Sequence, residues 1–109
     1  MQLPVSVAQA LIDDYVSPAW FTARQAGDSV GMQHLHNLAN NLRLAACIPL
    51  QPGSTAPFTQ LPKSNVQELV FRWLSPGWQA AKVKGDKSAM AYYNNMANHL
   101  RAAAGMPNE

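Results

Sequence analysis

The sequence predicts an all-α protein made by tandem duplication of a three-helix unit. Three observations lead there. Residues Leu3 to Pro49 align with Leu61 to Pro107 at a constant offset of 58, without a gap, and 20 of the 47 positions are identical. Such a repeat sets the architecture before any other feature. Apolar residues within each copy recur at helical spacing, not at strand alternation. Proline, glycine and capping residues punctuate those stripes where helices should start and stop.

The first helix opens at Ser6-x-x-Gln9 and again at Ser64-x-x-Gln67. That is the capping-box pattern, in which two side chains satisfy each other's orphan backbone donors. Its stripe is Ala8, Leu11, Ile12, Tyr15 and Val16, matched by Val66, Leu69, Val70, Trp73 and Leu74. Ser17-Pro18 and Ser75-Pro76 come next. Proline disfavours helix for the residue before it and fits a first helical position. The first helix is therefore expected to stop there, with Ser capping a short second helix that carries Trp20 or Trp78. Both Trp read as core anchors.

Gly27 and Gly85 are suited to the left-handed position that ends a helix. Asp28 and Asp86 then cap a long third helix, about 28–46 and 86–104. Its stripe is Met32, Leu35, Leu38/Ala39, Leu42 and Ala45/Ala46, and in the second copy Met90, Tyr93, Met96/Ala97, Leu100 and Ala103/Ala104. Cys47-Ile48-Pro49 and Gly105-Met106-Pro107 terminate it. The segment 50–60 reads as a linker reaching roughly 35 Å when extended. A unit this short is near the lower limit for folding alone. The copies 3–49 and 61–107 are therefore expected to share one core, packed about a pseudo-two-fold axis in a compact helical domain. A tetratricopeptide solenoid does not fit, because its period is roughly 34 residues.

The chain has 109 residues, 48% of them hydrophobic and 13% charged, with a formal net charge of +2. The charge is uneven. Asp13, Asp14 and Asp28 outweigh Arg24 and Arg43 up to residue 49, for a net −1. Beyond it, Lys63, Arg72, Lys82, Lys84, Lys87 and Arg101 outweigh Glu68, Asp86 and Glu109, for a net +3. The single Cys47 excludes an intramolecular disulfide and fits a reducing compartment. Asp13 and Asp14 interrupt the N-terminal apolar run, so no signal peptide is expected. No stretch approaches the roughly 20 apolar residues of a membrane span. A cytoplasmic protein is expected.

No catalytic constellation emerges. His34 and His36 lie two apart on a helix and face apart, and Tyr92 and Asn94 replace them in the second copy. His99 pairs with Asn41, so no metal site is expected, and no cofactor. Ser17 and Ser75 have no His or Asp at a common spacing. Asp13 and Asp14 diverge by about 100° on a helix, and Phe71-Arg72 stand in their place. The protein is expected not to be an enzyme.

Two sets of residues point to binding. Asn37, Asn40 and Arg43 recur as Asn95, Asn98 and Arg101. Asn is a mediocre helix former. Either these residues form a recognition strip, or Asn40/Asn98 and Arg43/Arg101 hydrogen-bond the Ser-Pro segment or the other copy. The drifted positions form the second set. Phe71 replaces Asp13, Gln79 replaces Phe21, and Tyr92-Tyr93 replace His34-Leu35. Aromatics outside the shared stripe must cover the other copy, a second chain or a partner, and Phe71 with Tyr92 would suit a protein.

The reading is a small non-enzymatic helical binding protein acting on another protein as inhibitor, adaptor or regulator. Its candidate contacts are Phe71, Tyr92, Asn37, Asn95, Arg43 and Arg101. A homo-oligomer and small-molecule capture between the copies stay open. The alternative is a nucleic-acid-binding regulator using Lys82, Lys84 and Lys87 against phosphate. A helix-turn-helix does not support it: of the packing positions Gln33, His36, Ala91 and Asn94, only Ala91 is apolar.

Overall fold

Four helices carry the chain in its computed structural model, which describes residues 1–51, 53 and 57–107. They are α1 (5–25), α2 (Ser29–Ala45), α3 (63–84) and α4 (Lys87–Ala103). No strand occurs among the described residues. The chain divides into two compact units, Gln2–Gln60 and Leu61–Glu109, with Met1 assigned to the second. Each unit is a long helix laid against a two-part helix, and corresponding helices start 58 residues apart. Residues 52 and 54–56 of the expected linker lie outside the described residues.

The Ser-Pro step does not break the helix, so each unit has two helices and not the expected three. α1 is α-helical over Val5–Leu11, π-helical over Ile12–Val16, and α-helical again over Ser17–Gln25. α3 repeats the sequence as Lys63–Leu69, Val70–Leu74 and Ser75–Lys84. Ser17 (φ −63°, ψ −46°) and Ser75 (φ −64°, ψ −45°) are themselves helical. Their N–H groups donate to the carbonyls of Ile12 and Val70, five residues back. A proline inside an α-helix lacks a donor, and its ring meets the carbonyl one turn earlier. A π turn just before it inserts one extra residue and loosens the ladder there. Ser17 and Ser75 are consequently interior residues and cap nothing.

The capping boxes do not form either. Helix begins at Val5 and Lys63, with Pro4 and Pro62 at the cap positions and no side-chain cap. The Pro4 carbonyl accepts from Val7 and Ala8, each at 3.1 Å. Tertiary structure sets this early start. The Leu3 N–H donates to the Ala45 carbonyl at 2.9 Å, and the Leu61 N–H donates to that of Ala103 at 3.0 Å. These are two of the orphan carbonyls that a helix C-terminus leaves. Both Leu side chains are fully buried, each worth about 1.5–3 kcal/mol. Leu-Pro thus pins the start of each unit to the end of its long helix.

The stops between the helices follow the sequence. Gly27 (φ 69°) and Gly85 (φ 72°) are left-handed. Asp28 N–H reaches back to the Ala23 carbonyl and Asp86 N–H to that of Ala81, both at 2.9 Å. This is the Schellman closure. The same Asp side chains cap the next helices, accepting from Gly31 at 2.8 Å and Ala89 at 3.0 Å.

The cores are aliphatic. In the first unit Leu3, Ala8, Leu11, Ile12 and Val16 are buried with Leu35, Leu38, Leu42 and Ala45. In the second, Leu61, Val66, Leu69 and Leu74 are buried with Met96, Leu100 and Ala103. Trp20 and Trp78 are only half-buried and are not core anchors. The extra residue of the π turn rotates everything after it by about 100°. That carries each Trp from the stripe to the margin of its helix pair.

Candidate functional site

The displaced Trp residues each wall a groove. In the second unit it runs between the π turn of α3 and the face of α4, with a volume of about 470 Å³. Val70, Leu74 and Ala97 form its apolar lining, and Trp78 and Tyr93 its aromatic one. Ser75, Gln79, Asn94, Asn98 and Arg101 supply its polar groups. The first unit has the matching groove, about 260 Å³, lined by Ile12, Val16, Ser17, Trp20, Phe21, Leu35, His36, Ala39 and Arg43. Every one of those nine positions, moved by 58, also lines the larger groove. The identical residues among them are Ser17/Ser75, Trp20/Trp78, Ala39/Ala97 and Arg43/Arg101. Phe21, edge-on to Trp20 at 5.4 Å between centroids, takes space that Gln79 leaves open.

The polar pairs are internal to their helices. Arg43 donates to the Asn40 side chain at 2.9 Å, and Arg101 donates to that of Asn98 at 3.2 Å. Both arginines are half-buried. The Asn three residues earlier holds the guanidinium along the groove and leaves donors free to serve a ligand, because an Arg carries five. Asn40 Nδ2 also lies 3.2 Å from His36 Nε2. A cation covers each Trp: the Arg24 guanidinium carbon is 5.6 Å from the Trp20 centroid, and Lys82 Nζ is 5.3 Å from that of Trp78. This is cation–π distance. Arg24 and Lys82 occupy corresponding positions, 58 residues apart.

The Trp78 indole Nε1 is buried and has no hydrogen-bond partner among the described residues. Such a donor costs about 1–3 kcal/mol while unsatisfied. Among the described residues no Asp or Glu lines either groove. The described lining of the larger groove is thus rich in donors and carries no acidic side chain.

A second depression, about 340 Å³, adjoins it. Val66, Gln67, Val70, Phe71, Ser75, Arg101 and Met106 line it, so the two share Val70, Ser75 and Arg101. Phe71 is 80% exposed. Of the candidate residues, the structure brings Arg101 and Phe71 together and puts Arg43 in the first unit's groove. Tyr92 is 47% exposed and packs edge-on against Tyr93, at 5.5 Å between centroids. Asn37 and Asn95 are exposed and lie outside both grooves, Asn37 accepting from Gln33 at 3.0 Å. Lys82, Lys84 and Lys87 are all exposed around Gly85.

Sequence reasoning missed Tyr93, Ser75 and Trp78 as a site. A signal existed: Ala19-with-Leu35 drifted to Gly77-with-Tyr93, a small-for-large exchange. Among the described residues no group of three His, Cys, Asp or Glu is placed to hold a metal. No described helix is long and apolar enough to cross a membrane.

Fold and grooves together define the class: a small all-helical protein of two compact units, each with a groove walled by Trp and Arg. No protein family, curated protein or solved structure matches the chain.

Proposed function

We infer that the chain is a tandem duplication serving as a small, non-enzymatic, cytoplasmic binding protein, which acts on another protein as inhibitor, adaptor or regulator. One observation carries this reading. Three pairs that are identical in both copies and lie outside the core, Ser17/Ser75, Trp20/Trp78 and Arg43/Arg101, converge on corresponding grooves. Trp and Arg are the residues that most often dominate protein interfaces. The exposed Phe71 and Tyr92 extend that surface in the second unit.

Affinity purification of the tagged protein from its host, with and without nuclease, tests this. A stoichiometric protein partner that survives nuclease, and is lost from a Phe71→Asp/Arg101→Gln double variant, is the expected result. Recovery of nucleic acid alone, with affinity falling steeply between about 50 and 200 mM salt, would transfer the function to the exposed Lys82, Lys84 and Lys87.

A further inference from the structure

We propose that the second unit binds a linear peptide in which an acidic residue lies between two apolar ones. The acidic side chain is taken by Arg101, one apolar side chain by the Trp78/Tyr93 groove, and the other by the Phe71/Met106 depression. This deepens the protein-binding reading above and rests on it.

Three observations converge. Arg101 lines both depressions, so it stands at their boundary with an apolar surface on either side. A chain can pass across it instead of ending there, which points to an internal acidic side chain and not a terminal carboxylate. Donors stand at the boundary and beside it. Arg101 and Ser75 are shared by both depressions together with Val70, Trp78 in the larger groove carries a buried N–H without a partner among the described residues, and no described acidic side chain lines either depression. Carboxylate is the natural acceptor for a guanidinium fork. The net charge of +3 beyond residue 50 favours an acidic ligand over a basic one.

The first unit is excluded by its own residues. Asp13 stands where the second unit has Phe71, so it would repel the ligand and offer no apolar contact. Phe21 and His36 narrow the groove beside Arg43.

The test uses acetylated, amidated, fluorescein-labelled peptides Phe-Ser-Glu-Ser-Leu and Leu-Ser-Glu-Ser-Phe, with versions carrying one additional Ser on each side of Glu. Each is titrated with the full chain by fluorescence anisotropy. Replacing Glu with Gln is expected to weaken the best binder about tenfold, the scale of one charge-assisted pair. Arg101→Gln is expected to abolish that preference, while Lys63→Gln, an equal loss of charge elsewhere, preserves it. If Arg101→Gln does not fold, Arg101→Lys keeps the charge without the fork and should lose part of the preference. Equal binding of Glu and Gln peptides overturns the proposal. So does an amidated Glu peptide bound no better than a Gln peptide with a free terminal carboxylate. If none of the peptides binds, the proposal falls, while a partner recovered by affinity purification would leave the broader protein-binding reading standing.

Discussion

Tyr93 lies against the backbone of Gly77 so closely that a Cβ there would sit 2.7 Å from its ring Cζ and 3.1 Å from its hydroxyl oxygen. The first unit pairs Ala19 with Leu35 at the same positions. A larger side chain on the long helix thus goes with a smaller residue on its neighbour. The exchange places an aromatic ring in the larger groove.

Gly77→Ala should therefore displace Tyr93. Overpacking of this kind costs about 1–3 kcal/mol. Adding Tyr93→Leu, which recreates the first unit's pair, should recover most of that loss. A double-mutant cycle by urea denaturation measures the coupling. Additive effects would mean that the two residues do not contact.

Cys47 occupies a left-handed position, with φ 58°, where the second unit has Gly105 at φ 70°. A side chain in that conformation costs about 1–2 kcal/mol, partly offset by the greater freedom of glycine in the unfolded chain. Cys47→Gly should stabilise the protein by about 0.5–1 kcal/mol, seen as a higher urea midpoint at an unchanged slope. A lower midpoint would mean that the Cys47 side chain contributes more by packing than its backbone loses.

Asp28 and Asp86 each satisfy an N-terminal amide of a long helix. Asp86→Ala should cost about 1 kcal/mol, whereas Asp86→Asn should cost a few tenths. Thermal melts of the two variants separate the hydrogen bond from its charge. Equal losses would assign the effect to charge at the helix end instead.

Phe71 is 80% exposed. Phe71→Asp, which installs the first unit's residue, should change stability by no more than about 0.5 kcal/mol. It should also remove partner binding in the affinity experiment. A folded variant that still captures the partner at full yield would take Phe71 out of the interface.

The expected punctuation was correct where it was local. Gly27-Asp28 and Gly85-Asp86 combine a left-handed residue with a cap, and neither requires anything beyond about six neighbouring residues. The apolar stripes were legible for the same reason, since period alone specifies which face of a helix is buried. Ser6, Ser64, Ser17 and Ser75 carry equally local signals, which tertiary packing overrides. Leu3 and Leu61 dock on the long helices and start α1 and α3 earlier than the Ser caps imply. Packing along the whole of α2 and α4 likewise carries α1 and α3 through their prolines, at the expense of a π turn.

Sequence by itself determined the helical class, the two stops at Gly-Asp, the 58-residue correspondence and most of the buried stripe, although Tyr15, Met32, Val70, Trp73, Met90 and Tyr93 are only half-buried. The tertiary structure alone decided that each unit has two helices, and that Trp20 and Trp78 leave the core. It also decided that Arg101 lines one depression with Trp78 and Tyr93 and the adjoining one with Phe71. The physical reason is that a proline preference is worth only a few kcal/mol and can be absorbed by one extra residue in the ladder. Burial of a whole helix face outweighs it, and the rotation which that extra residue introduces determines what every later side chain meets.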